Sequence, residues 1–146
     1  MRTITSGFAL GGTVAAAIAL LAGCAGTAYE ATGQQVRLWG SSEVAPVRTQ
    51  AYGTGVINIA ADRGVTVTLS VIDMVPTAAH IHEGAVGANG PVIVPLNKIS
   101  EGAFVAPDNA KLTEAQYAAY KAGNLYVNVH SVKYPDGEVR AQIAGR

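Results

Sequence analysis

The chain has 146 residues, of which ten are Lys or Arg, ten are Asp or Glu, three are His and one is Cys. This balanced charge excludes the strong electrostatic attraction that nucleic-acid binding requires. The single cysteine excludes an internal disulfide and leaves no thiolate in the folded part. A metal site would therefore be built from imidazole and oxygen ligands.

The first residues predict export. An apolar run from Phe8 to Leu21 follows a weakly basic start and is too short for a comfortable bilayer span. The sequence Leu21-Ala22-Gly23-Cys24 resembles a bacterial lipobox, which predicts a signal peptide over residues 1–23 and acylation of Cys24. Ala25, in place of Asp, favours sorting to the outer membrane, facing the periplasm. Ordinary secretion with a free thiol is the alternative.

Residues 24–35 are small, polar and aperiodic, which is typical of a flexible spacer between a lipid and a domain. Residues 36–146 have a length that suits a single domain with one core. The sequence thus predicts contact with the membrane through a lipid on Cys24, and no nucleic-acid partner.

The domain is predicted to be a β-sandwich, because short runs of alternating or β-branched residues are separated by Gly, Asn, Asp and Pro. Residues 62–64 predict a hairpin, and residues 134–137 predict a turn between the last two strands. The seven predicted strands are Val36–Leu38, Gly55–Ala60, Val65–Val71, Ala79–His82, Pro91–Leu96, Leu125–His130 and Glu138–Ile143.

One segment, Thr113–Gly123, predicts a short crossover helix. It has good helix formers, a capping-box Thr with Gln116 three residues later, and a glycine at its end. Tyr117 and Tyr120 are interpreted as packing residues of this helix, with ligand stacking as the alternative.

All three histidines lie in predicted strands. His80 and His82 leave the same face of their strand, because side chains at i and i+2 point together. His130 shares a face with Tyr126 and Asn128, so a third imidazole joins the pair if the two strands are neighbours. This pattern predicts a metal site. The alternative is that the histidines only make structural hydrogen bonds.

Four neighbours are candidates to tune such a site: Tyr126, Asn128, Glu138 and Arg140. Glu138 and Arg140 share one face of the last strand, which is expected beside His130. Glu138 is a candidate acceptor for an imidazole N–H, but a surface ion pair with Arg140 is the favoured interpretation.

Several motifs span the domain: Leu38–Val47 (LWGSSEVAPV), Ala79–Gly84 (AHIHEG), Gly87–Val92 (GANGPV), Gly123–Ser131 (GNLYVNVHS) and Pro135–Ile143 (PDGEVRAQI). Together they resemble the CHRD domain family, named for the extracellular protein chordin. The resemblance implies an all-β fold: an antiparallel Greek-key β-sandwich, immunoglobulin-like or superoxide-dismutase-like, with one short crossover helix. It implies the fold better than the function.

The His-x-His strand is also similar to the copper half of copper-zinc superoxide dismutases. Those enzymes use additional histidines, a zinc-binding loop and an internal disulfide, and this chain has only three histidines and one cysteine. The protein is therefore not expected to be an enzyme, and dismutase activity is a distant third possibility. Three imidazoles without thiolate suit Cu(II) or Zn(II), and copper is favoured by the usual affinity order.

Two functions remain open. The first is a lipid-anchored envelope protein that binds copper, or less favourably zinc, through His80, His82 and His130. The second is a non-enzymatic module that presents loops such as Gly84–Gly90 and Trp39–Ala45 to an envelope protein or glycan.

Overall fold

The computed structural model describes residues 33–146, so the predicted signal peptide, Cys24 and most of the spacer lie outside the described residues. Within residues 33–146, no helix is long and apolar enough to cross a membrane. The first strand begins at Gln34, two residues before the start expected from the sequence.

The described chain is all-β and antiparallel, with one α-helix, as the sequence predicts. All seven predicted strands are present. Two short strands that the sequence does not predict, Asn97–Ser100 and Ala103–Val105, lie at one edge of the sheet. The elements are β1 (Gln34–Trp39), a 3-10 turn (Gly40–Ser42), β2 (Tyr52–Ile59), β3 (Val65–Ile72), β4 (Pro76–Glu83), β5 (Val92–Pro95), β6 (Asn97–Ser100), β7 (Ala103–Val105), α1 (Glu114–Lys121), β8 (Leu125–Ser131) and β9 (Val139–Ile143).

Hydrogen bonds join the nine strands in the order β5-β4-β8-β9-β1-β2-β3-β7-β6. The sheet curls until its ends approach each other, and Lys98 Nζ of β6 donates to the Pro76 carbonyl of β4 at 3.0 Å. The predicted hairpin at residues 62–64 joins β2 to β3, and the turn at residues 134–137 joins β8 to β9.

The core lies inside the curled sheet, because alternate side chains of each strand point inward. In β8 the inward residues Leu125, Val127 and Val129 are fully buried, as the alternation predicts. The outward residues of the same strand, Tyr126, Asn128 and His130, face the other side. Similar alternation in β4 sends Ala79 and Ile81 into the core and the two histidines outward.

The helix α1 begins with the predicted capping box, in which Thr113 and Gln116 exchange side-chain and backbone hydrogen bonds. It lies in the connection that crosses from β7, near one edge of the sheet, to β8, near the other. Tyr120 is buried in the core and Tyr117 packs against the core, which confirms their packing role.

Candidate metal centre

The strands β4 and β8 are hydrogen-bonded neighbours, which is the condition that the sequence left open. Their register pairs His80 with Asn128, His82 with Tyr126, and Ala78 with His130. The three imidazoles therefore project from the same, outward face of the sheet. One nitrogen from each ring lies within 4.8 Å of the others. The three histidines are close enough to hold one metal ion.

Backbone carbonyls orient two of the three rings. His82 Nδ1 lies 2.9 Å from the Gly90 carbonyl oxygen, and His130 Nδ1 lies 2.8 Å from that of Pro135. A carbonyl only accepts, so both Nδ1 atoms carry the proton and both Nε2 atoms carry a lone pair. Metal-binding histidines are commonly fixed in this way by the second ring nitrogen. The third ring, that of His80, lies beside the His130 ring, with His80 Nδ1 3.0 Å from His130 Nε2.

The environment favours the neutral form of the His80 and His82 imidazoles, which is the form that binds metal. Burial, which is the largest cause, and the positive charges that His130 and His82 would carry together lower the pKa of His80 to about 4. Burial also lowers the pKa of His82, against the opposing effect of the Gly90 carbonyl. His82 Nε2 is buried and has no hydrogen-bond partner among residues 33–146. An unpartnered buried acceptor is costly and is the kind of atom that a metal ion satisfies.

His80 makes the stability of the metal-free protein sensitive to acid. Its pKa is about 4 in the folded chain, against an ordinary value of 6.5. Between these pH values the unfolded chain binds more protons, so this contribution is complete above pH 6.5 and is lost as the pH falls towards 4.

We therefore expect the stability difference between the wild type and His80→Ala to shrink as the pH falls over that window. Urea unfolding of both chains at several pH values measures it, and comparison at each pH removes contributions from titrating groups that do not interact with His80. A difference that does not change with pH would contradict a neutral, acid-sensitive His80.

Tyr126 lies between the centre and the guanidinium of Arg140. Its ring stacks on His82, with centroids 4.7 Å apart and planes 6° from parallel. The Arg140 guanidinium lies 3.4 Å from the centroid of the same ring. The Tyr126 hydroxyl accepts a hydrogen bond from the Gly90 backbone N–H. Tyr126 thus holds the His82 ring, and it also holds Gly90, whose carbonyl orients that ring.

Arg140 is buried and fixes the loop that covers the centre. Its guanidinium donates to Asn89 Oδ1 at 3.0 Å and to the Ala88 carbonyl at 2.8 Å. Asn89 in turn donates to the Val44 carbonyl, so two loops meet over the outward face of the sheet. The Gly84–Gly90 loop therefore passes close to His82, whose Nδ1 donates to the Gly90 carbonyl.

The predicted ion pair between Glu138 and Arg140 is wrong, and so is the idea that Glu138 accepts from an imidazole. Glu138 precedes β9 and accepts hydrogen bonds from the hydroxyls of Thr49 and Ser131. The expected alternation applies only from Val139 onward, where the strand begins. Of the four neighbours, Tyr126 and Asn128 lie at the centre, Arg140 lies behind Tyr126, and Glu138 lies elsewhere.

Glu43 is a residue of this region that the sequence analysis did not select. It follows the 3-10 turn after β1 and is only 5% exposed. Burial raises the pKa of its carboxyl to about 7, although the Arg140 charge and the Asn128 side chain act to lower it. The available signal was weak: Glu43 is the only acidic residue in the motif Leu38–Val47.

The comparison with known proteins gives one match. The family model described as the CHRD domain matches residues 34–143. Neither a curated protein nor a solved structure matches the chain.

Proposed function

We propose, on the premise that the chain belongs to the CHRD domain family, that it is a metal-binding protein that holds copper through His80, His82 and His130. One observation carries the proposal: a nitrogen from each ring lies within 4.8 Å of the others on one face of the sheet. The carbonyl-oriented rings of His82 and His130 support it, because protons on both Nδ1 atoms leave both Nε2 atoms as the nitrogens able to bind a cation.

The ligand chemistry favours copper over zinc. Neutral imidazoles bind both ions, and for a given set of nitrogen ligands Cu(II) binds more tightly than Zn(II). No cysteine lies in residues 33–146, so thiolate ligands are excluded there. We therefore propose a role in storing, delivering or sequestering copper, without enzyme activity.

Metal titration tests this function. The full chain is purified in detergent, and its metal content is measured. Bound metal is then removed, and the metal-free protein is titrated with Cu(II) and with Zn(II). We expect one equivalent of metal per chain, with Cu(II) bound more tightly. Absence of stoichiometric binding of either ion would overturn the proposal.

We further propose that the protein is exported and anchored by a lipid on Cys24 to the bacterial envelope, at the outer membrane and facing the periplasm. The lipobox Leu21–Cys24 and the following Ala25 support this location.

Labelling measures the anchor directly. In a bacterial host fed radiolabelled palmitate, the wild-type chain should incorporate label and partition into the detergent phase. The Cys24→Ser variant should do neither. A wild-type chain that is secreted, unlabelled and soluble in buffer would contradict lipidation and support ordinary secretion.

A second candidate function is an interaction module for an envelope protein or glycan. Trp39 is 45% exposed and stacks on Tyr52, with ring centroids 5.5 Å apart. Exposed aromatic pairs of this kind are common at recognition surfaces. In this case the histidines serve only as hydrogen-bonding residues, and the metal titration distinguishes the two functions.

A further inference from the structure

Three buried polar atoms without hydrogen-bond partners belong to adjoining side chains at the edge of the histidine cluster. They are Glu43 Oε1, Asn128 Oδ1 and His82 Nε2, and only one other such atom occurs in residues 33–146. Asn128 lies beside Glu43, because a Cβ on Gly137 would touch both side chains, and it is diagonal to His82 in the register of β4 and β8. Buried polar atoms are rarely left unpaired, so three in one place indicate that something binds there.

The direction of the Asn128 amide follows from its two neighbours. A Cβ on Gly137 would lie 2.6 Å from Asn128 Nδ2 and would also collide with Glu43 Oε1, so these two atoms are neighbours. The amide nitrogen therefore faces Glu43, and the amide oxygen faces the opposite way, towards the histidines of β4.

Two lone pairs consequently face one another. His82 Nδ1 donates to the Gly90 carbonyl, so His82 Nε2 carries no proton and cannot donate to Asn128 Oδ1. An imidazole nitrogen and an amide oxygen in such an arrangement repel each other when the space between them holds no positive group. A metal cation satisfies both atoms at once.

We propose that Asn128 Oδ1 is the fourth ligand of the three-histidine centre, and that Glu43 is the positioning residue that directs this oxygen to the metal. This inference rests on the proposed metal binding. Asn128 is 2% exposed and lies directly opposite His80 in the strand register, within the same row of side chains. Three nitrogens and one oxygen complete a four-coordinate set.

The amide oxygen has a consequence for metal choice. Oxygen is a hard ligand, whereas Cu(I) prefers thiolate and thioether ligands. A centre of three imidazoles and one amide oxygen therefore favours Cu(II) over Cu(I). Replacing the oxygen with an apolar side chain should weaken Cu(II) binding more than Cu(I) binding.

The test uses the full chain loaded with Cu(II) and read by electron paramagnetic resonance and competitive titration. Asn128→Leu preserves the approximate volume and removes the oxygen, whereas Asn128→Asp retains an oxygen. We expect Asn128→Leu to lower Cu(II) affinity at least about 10-fold, in the range of losses near metal ligands, and to change the copper hyperfine splitting. Asn128→Asp should keep tight binding.

Glu43 is tested by a matched pair of variants. Glu43→Leu removes the carboxylate that faces the Asn128 amide nitrogen, and we expect it to weaken Cu(II) binding by about 10-fold, with a broadened spectrum. Glu43→Gln retains an acceptor oxygen and should restore both the affinity and the spectrum. A purely packing role for Glu43 would not produce this spectroscopic rescue. The Glu43 pair of variants also keeps the inference testable if Asn128→Leu fails to fold.

The outcomes separate this inference from the proposed function. If the wild type binds no copper, the proposed function fails and this inference fails with it. If the wild type binds copper through its histidines and Asn128→Leu has the same affinity and spectrum, only the fourth ligand is wrong. Equal loss in Glu43→Gln and Glu43→Leu would reject the positioning role of Glu43.

Discussion

The His80→Ala/His82→Ala double variant is expected to lose stoichiometric Cu(II) binding while it keeps its fold. It removes two of the three nitrogens that lie within 4.8 Å of each other. Loss of a supporting partner near a metal typically costs 10–100-fold in affinity, so loss of two ligands should exceed about 100-fold. Isothermal titration with Cu(II) measures the change.

The fold should survive because both side chains point away from the core, whose β4 contribution comes from Ala79 and Ile81. Circular dichroism and thermal unfolding check this directly. Asn58→Ala, on β2 and outside the histidine cluster, is the matched control and should bind copper as the wild type does. Undiminished copper binding by the folded double variant would place any metal site away from these histidines.

The faces of β4 and β8 could be predicted from sequence because strand alternation is a local property. Alternating residues in Leu125–His130 separate an apolar face from a polar one, and His80 and His82 stand two positions apart. Metal-site geometry required more: β4 had to pair with β8 in one particular register. That pairing joins residues about fifty positions apart, and no local pattern determines it.

The strands that the sequence analysis missed carry almost no alternation. Every residue of β6 is exposed, and β7 has only three residues, of which Phe104 alone is fully buried. Short edge strands gain their hydrogen bonds from the neighbouring strand and need no hydrophobic face of their own. Their identification therefore depends on the tertiary fold.

The charged residues near the centre were the least predictable. Glu138 and Arg140 are two positions apart, and the local pattern favoured an ion pair between them. In the folded chain Glu138 is held by Thr49, while Arg140 reaches the loop at Asn89. Both partners are distant in sequence, and the same is true of Asn128 beside Glu43. Burial of such groups requires specific partners, which only the fold brings together.

The Arg140→Met variant is expected to be the most destabilised of the single variants considered. The guanidinium is 1% exposed, donates to Asn89 and to the Ala88 carbonyl, and covers the Tyr126 ring. Methionine fills much of the same space but makes none of these hydrogen bonds. Removing one charged partner from a buried network costs about 3 kcal/mol of unfolding free energy. Urea unfolding of the metal-free chain at pH 7 measures this loss.

The loss of unfolding free energy in Arg140→Met should grow above pH 7 because of Glu43. Burial raises the pKa of Glu43 to about 7, and the Arg140 charge opposes that rise, so the pKa is higher still in the variant. When folding raises the pKa of a carboxyl, the protein loses stability as the pH rises from the ordinary pKa of that carboxyl to its pKa in the folded chain. In the wild type, the contribution of Glu43 to the free energy of unfolding stops changing above about pH 7. In the variant, the same contribution continues to fall as the pH rises further.

Two further chains isolate this effect. Glu43→Gln/Arg140→Met has no carboxyl at this position, so its destabilisation relative to Glu43→Gln should be the same on both sides of pH 7. Arg37→Met changes an exposed arginine on β1 and should shift stability by less than about 0.5 kcal/mol. If Arg140→Met is no less stable than Arg37→Met, the guanidinium does not hold the covering loop. If the stability loss of Arg140→Met does not change with pH, the Arg140 charge does not act on the Glu43 carboxyl, and the two residues contribute to stability independently.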